Sequence, residues 1–320
     1  FDVDTEPIAA VQVRLSINAL PGMVVLNKGT IEPDAVIITP NATFTVTTNV
    51  DSADPTPLNS TCDAPCSLRR AIQSSNFLGG SNAITIPANT YTLTIGPYDS
   101  EFNLNGATEE SGDLDIEDLS PFGIGAGVLT GTTLNDIDPA TTIIQMGTLV
   151  PSANGISKDR VLDIENPDAS SNPVTTVLNN LTFRNGVAPC DPDVANPPQC
   201  SQRPGGGVQV SRSPLTITNC RILSNTASST GGGLHNRFGN LTINSASQIG
   251  AAAAGNISQN AAGAGFFFNG GNTPSFDLIV DNTSISSNTA QSSGFGSGGG
   301  FSGTGSNSMT VQNSTTVTSN

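Results

Sequence analysis

From residue 83 onward the chain keeps alternating apolar and polar side chains over four or five positions, then breaks at asparagine or glycine. A period of two sends neighbouring side chains to opposite sides of a strand. The segment "LTITNCRILSN" (215–225) shows the full pattern, with Ile217 and Ile222 on its inward side. "LIVDNTSISSN" (278–288) repeats it with Val280 and Ile285, and "MTVQNSTTVTSN" (309–320) repeats it with Val317 in place of isoleucine. "NISQN" (256–260) is a short copy and "TTVLNNLTFRN" (175–185) an irregular one. Glycine clusters recur between copies, at Gly205–Gly207, Gly231–Gly233, Gly263–Gly265 and Gly298–Gly300.

The closing asparagines are Asn185, Asn225, Asn260, Asn288 and Asn320, spaced 40, 35, 28 and 32 residues apart. Such spacing suits a coil whose strands stay constant while its turns vary in length. One coil alone leaves an apolar face and half its backbone groups unsatisfied, and stacking the next about 4.8 Å away completes both. Asparagine tolerates left-handed backbone and can bond its own image one coil on. The pattern predicts an all-β fold, a right-handed parallel β-helix over 44–320.

One segment reads differently. "TCDAPCSLRRAIQSSN" (61–76) carries helical spacing at Leu68, Ala71, Ile72 and Ser75, with Ser67 able to cap the helix. Alternating strands follow at "AITIPANTYTLTI" (83–95). This predicts a capping helix at about 66–76, laid over the open edge of the first coil. Residues 1–43 form a separate β segment, with strands expected in "AVQVRLSI" (10–17), "MVVLNKG" and "DAVIITP". It either lies on the solenoid or donates a strand to a neighbouring subunit.

"PCSLRRAIQSSN" followed by "ITIPANTYTLTI" resembles the CSLREA-domain family of secreted or surface bacterial right-handed β-helix proteins. The motif stands here as Cys66-Ser67-Leu68-Arg69-Arg70-Ala71, with Arg70 in place of glutamate. "SGDLDI" (111–116), "TTIIQ" (141–145), "DRVLDI" (159–164) and "LTFRNG" (181–186) resemble the same family. The glycine-rich rungs are also similar to the repeats of chlamydial polymorphic outer-membrane proteins. The resemblance implies a β-helix and a place outside the cell.

Composition narrows the function. The chain has 320 residues, 34 glycines, no tryptophan, 12% charged residues and a net charge of −15. Residues 1–120 hold 16 acids and 4 bases, and no Lys or Arg follows Arg237. Nucleic-acid binding needs a basic stripe and is excluded. No apolar run reaches the 18 residues a membrane-spanning helix needs. Cys62 with Cys66, and Cys190 with Cys200, are candidate disulfides, while Cys220 in an alternating segment is expected to point inward as a free thiol. Such cysteine use fits an oxidising compartment, reached after removal of any signal peptide.

Candidate chemistry is sparse. A β-helix lyase or hydrolase needs a cationic base or paired carboxylates, yet only Lys28 and Lys158 occur and no polygalacturonase-type motif is present. His235 reads as a turn residue rather than a base. Stacking could gather Arg184, Arg212, Arg221 and Arg237 on one face, the cluster on which a polysaccharide-binding alternative would rest. In "EESGDLDIEDLS" (109–120), Asp113, Asp115 and Glu117 share a strand face, either as a solvated acidic edge or as a calcium site. Seven Asn-x-Ser/Thr sequons, among them Asn256, read chiefly as structural asparagine. No cofactor other than calcium is expected. These features predict a non-enzymatic extracellular stalk, adhesin or fibre subunit, self-associating through its ends or through residues 1–43. Glycans or cell-surface proteins are the other candidate partners. The alternative is a polysaccharide-binding or pectate-lyase-like β-helix.

Overall fold

The computed structural model describes residues 7–13, 22–27, 35–38, 42–53, 61–78, 82–95, 112–117, 126–131, 139–148, 158–166, 175–188, 204–271, 276–291 and 298–320. Apart from one three-stranded antiparallel sheet, every described sheet is parallel, and each grows by one strand per turn of chain. The architecture is a parallel β-helix. An eight-stranded first face runs from Thr43–Thr45 to Ser306–Gln312, and a seven-stranded second face from Asn89–Leu93 to Thr316–Thr318. A six-stranded third face runs from Leu114–Glu117 to Phe301–Thr304. Four two-residue strands form a ridge between the second and third faces.

The coil containing "LTITNCRILSN" shows how sequence becomes shape. Leu215–Thr218 lies on the first face, and Asn219 turns the corner in left-handed backbone at φ 48°. Arg221–Leu223 lies on the second face, Ser224 turns again at φ 56°, and Thr226–Ala227 enters the ridge. The glycine cluster then leads into Leu234–Arg237 on the third face. Gly231 needs its φ of +67°, which a side chain would strain. Gly233 needs its bareness, because a Cβ there would lie 2.9 Å from the amide nitrogen of Asn256.

Register is kept from coil to coil, so corresponding inward positions stack. Ile217 pairs with Leu178 and Ile243, Ile222 with Phe183 and Ile249, and Val210 with Ile164 and Asn236. One continuous apolar column results, from Phe44 near the start to Val280 and Ile285 near the end. Burying each such Leu, Ile or Val contributes about 1.5–3 kcal/mol, which lets a thin core hold an elongated body.

The helix spans Leu68–Leu78. Ser67 caps it, its Oγ accepting the Arg70 N–H at 3.1 Å. Leu68, Ala71, Ile72 and Ser75 are all buried, as helical spacing requires. Its polar side chains close the first third-face strand. Arg69 donates to the carbonyls of Gly112 and Asp113, and Asn76 donates to the carbonyl of Asp115. Those carbonyls point away from the sheet and would otherwise be buried without a partner. Arg69 is itself neutralised by Asp51 at 2.9 Å. Residues 7–38 contribute the antiparallel sheet, with Pro7–Val13, Gly22–Asn27 and Ala35–Ile38 in sequence order.

Candidate functional site

Two features of the solenoid are candidates for function: an asparagine ladder that ends in an open coil, and a charged column on the third face. The ladder comprises Asn225, Asn256, Asn288 and Asn320. Each Oδ1 accepts the backbone N–H of the preceding rung: Gly186 to Asn225 at 2.9 Å, Asn225 to Asn256, Asn256 to Asn288 and Asn288 to Asn320 at 3.0 Å. Each Nδ2 donates back to the carbonyl of Phe183, Ile222, Ile249 or Ile285 in the coil before. No carboxamide inside the ladder is left half-satisfied, and that satisfaction rigidifies a polar core.

Two of the expected rung asparagines lie elsewhere. Asn185 is exposed, with φ 64°, and it matches the left-handed Ser224, Ser287 and Ser319 rather than the ladder. Gly186 holds the ladder position of that coil. Asn260 is exposed and donates to the carbonyl of Ser228. Its place is taken by Asn256, which the spacing did not single out as a rung. The reason is a longer turn. Ile249 is the true partner of Ile222, and residues 250–255 intervene before the ladder asparagine, which breaks Ile-x-x-Asn. Ile257 belongs to the ridge, opposite Thr226. With Asn256 in place the steps become 39, 31, 32 and 32 residues. Asn256 is fully buried and both its amide hydrogens have acceptors, so this sequon is structural in the folded chain.

The coil formed by residues 301–320 differs from those before it. Met309, Val311 and Val317 occupy the inward positions of Leu278, Val280 and Ile285. Each is 47% exposed, whereas the residues one coil back are at most 2% exposed. The strand edges of 306–312 and 316–318 are the last of their sheets.

On the third face, register brings together residues distant in sequence. Leu114–Glu117 and Leu162–Glu165 have the same sequence, Leu-Asp-Ile-Glu, and their backbones stack in register, which sets Asp115 beside Asp163. The column continues through Gln209, His235 and Phe267. Asp113, Asp115 and Asp163 bring carboxylate oxygens within 4.8 Å of one another. Asp113 and Asp115 were the residues expected from the acidic stretch. The side chain of Glu117 lies outside the described residues. Arg160, Asp163 and Gln209 are additions, and the repeated tetrapeptide is the sequence signal by which Asp163 could have been found.

Arg160 sits among these acids. Its Nη1 meets Asp163 Oδ2 at 2.6 Å and its Nε meets Asp113 Oδ2 at 3.3 Å. Gln209 Nε2 donates to the same Asp163 Oδ2 at 3.2 Å. Burial pushes the Asp163 carboxyl up to about 6, outweighing the attraction of Arg160, and Glu165 and Asp159 push it the same way. Burial also holds the His235 imidazole down at about 3, with Arg160 and Arg237 adding to the effect. His235 is therefore a neutral, buried strand residue stacked on Phe267 at 5.5 Å, not a turn residue.

The four rung arginines do not converge. Arg184 and Arg221 lie on the second face, while Arg212 and Arg237 lie at the end of third-face strands. Cys62 and Cys66 form a disulfide, and Cys190 and Cys200 lie outside the described residues. Cys220 is a buried free thiol whose Sγ contacts the carbonyls of Leu178 and Thr218, and burial raises it to about 12. No described helix is long and apolar enough to cross a membrane. Compared with models of known families, with curated proteins and with solved structures, the chain matches none.

Proposed function

We propose that this protein is a non-enzymatic extracellular structural element, a surface stalk or assembly subunit of the CSLREA type. It works by extending through coil-on-coil stacking. The single observation carrying this reading is the stack itself: each coil keeps register with the one before, buries its apolar positions and passes on the same asparagine ladder. A surface with unpaired strand edges and an apolar centre is complementary to another coil of the same kind.

An acidic chain with few lysines and a disulfide suits an oxidising exterior. The sides of the solenoid carry serine, threonine and asparagine, a surface suited to weak glycan contacts through hydroxyl and amide groups. Analytical ultracentrifugation with electron microscopy tests the proposal. The expected result is end-to-end association, weakened by Val311→Asp with Val317→Asp. A monomer at all concentrations, with the strands of 306–318 protected from hydrogen exchange, would overturn it.

A further inference from the structure

One coil exchanges the residues of a corner. Three later coils run Ser224-Asn225, Ser287-Asn288 and Ser319-Asn320 through this turn, whereas the coil of 175–188 runs Asn185-Gly186. The exchange moves the carboxamide out of the ladder. Asn185 takes the left-handed corner at φ 64° and stands exposed, while Gly186 takes the buried ladder position. Glycine is required there, because a Cβ on Gly186 would lie 2.0 Å from the carbonyl oxygen of Gly206.

Asparagine followed by glycine is a pair able to react with itself, because no Cβ shields the glycine nitrogen from the amide beside it. Gly186 N would bond to Asn185 Cγ as the Cγ–Nδ2 bond breaks. The proton of Gly186 N leaves with Nδ2 as ammonia, and water then opens the cyclic imide at either carbonyl to give aspartate or isoaspartate. The attack needs a Gly186 nitrogen that can give up its proton. In the stacked coil that N–H donates to Asn225 Oδ1 at 2.9 Å in a buried bond, and the Gly186 carbonyl accepts the Thr226 N–H at 2.9 Å. The next coil thus holds the attacking nitrogen inside while the amide it would attack stands outside.

We propose that Asn185-Gly186 is a self-modification site gated by Asn225, intact while the coil is stacked and converted when the coil opens. The product records the opening. Isoaspartate carries the main chain through Cγ, one carbon longer, between two strands whose partners are fixed. Thr182–Arg184 is in register with Arg221–Leu223, and Val187–Ala188 with Thr226–Ala227. The added atom breaks one pairing or the other, so a coil that has reacted does not close as before. A second Asn-Gly pair among the described residues, Asn269-Gly270, is held without the ladder. Its Gly270 N–H donates to the Thr304 carbonyl at 2.8 Å, and Asn269 Oδ1 accepts the Gly271 N–H at 3.1 Å, which makes it an internal reference. The gate is independent of any assembly role.

The test is peptide mapping for isoaspartate after the whole chain is incubated at mildly alkaline pH. Asn185 should convert roughly a hundredfold more slowly in the folded chain than in the chain unfolded by urea. Asn225→Ala frees the Gly186 N–H, and should speed conversion at Asn185 roughly tenfold while leaving Asn269 unchanged. Should that variant fail to fold, the parent decides alone. In urea too dilute to unfold it, conversion at Asn185 and hydrogen exchange of the Gly186 amide should rise by the same factor, since one opening exposes both. The proposal is overturned by a folded rate equal to the unfolded one, or by conversion that rises without exchange at Gly186. No acceleration at Asn185 in Asn225→Ala, or an equal one at Asn269, would overturn it as well.

Discussion

The two ends of the solenoid solve the same problem in opposite ways. Near residue 68 the first coils are closed by a helix whose Leu68, Ala71 and Ile72 cover the core, while Arg69 and Asn76 complete the carbonyls of the edge strand. In the coil of 301–320 the same kind of edge and core stand open, with three apolar side chains half in solvent. A stacked sheet carries an unmet demand for hydrogen bonds and burial at each boundary, and only a non-repeating element can end it. The comparison teaches that the repeat cannot close itself: what covers the core near residue 68 is an element from outside the repeat.

The largest effect should come from the closed end. Arg69→Ala leaves Asp51 buried without its guanidinium and exposes two buried carbonyls, so it should cost about 3–5 kcal/mol in urea unfolding. A loss under about 1 kcal/mol would mean that the helix is an ornament rather than a cap. Next comes the ladder, which runs toward the open end. Asn288→Ala strips acceptors from the N–H and amide of Asn256 and a donor from the Ile249 carbonyl, at about 3 kcal/mol. Asn320→Ala should cost less than about 1 kcal/mol, because water reaches the groups it leaves behind. Equal losses at the two positions would show that the outer coil is covered.

Acid should sharpen the contrast at the charged column, beside the closed end. His235 has a folded pKa near 3, below its unfolded value, so its contribution to stability is lost as pH falls below about 6.5. Asp163 has a folded pKa near 6, above its unfolded value, so protonation favours the native state as pH falls from 6 toward 3.8. Between pH 4 and 6 the two slopes oppose each other. Asp163→Asn should therefore lose stability faster than the parent as pH falls across that window, because it gives up the proton uptake that opposes the loss at His235. Urea titrations at pH 4, 5 and 6 measure it, and parallel curves would refute the pairing. The smallest effect belongs to the open end, where Val317→Asp should change monomer stability by less than about 0.5 kcal/mol. The same change at its buried partner, Ile285→Asp, should unfold the coil.

Strand positions were the most legible part of the fold. "AITIPANTYTLTI" divides into Asn82–Ile86 and Asn89–Leu93, and the helix begins one residue after its serine cap. Alternation and capping are local, so they survive reading in one dimension. Asn256 was misread because the longer turn at 250–255 changed the spacing without changing the strand register. His235 was misread because its neighbourhood in sequence, glycine and asparagine, signals a turn, while its neighbours in space are Gln209 and Phe267. Asn236 shows the same limit. It points into the core between Val210 and Phe268, fully buried, with neither amide atom bonded, and nothing in "GLHNRFG" marks it as inward.

By itself the sequence determined that strands would form, which apolar side chains would face inward and where a helix would intervene. These follow from period and propensity, both properties of short stretches. Only the tertiary structure decided which asparagine bonds which, that Asp115 meets Asp163 beneath Gln209, and that four arginines divide between two faces. Those outcomes depend on the number of residues each turn consumes. A turn can gain residues without altering the strands it joins, so partners across coils are set by stacking and not by spacing along the chain.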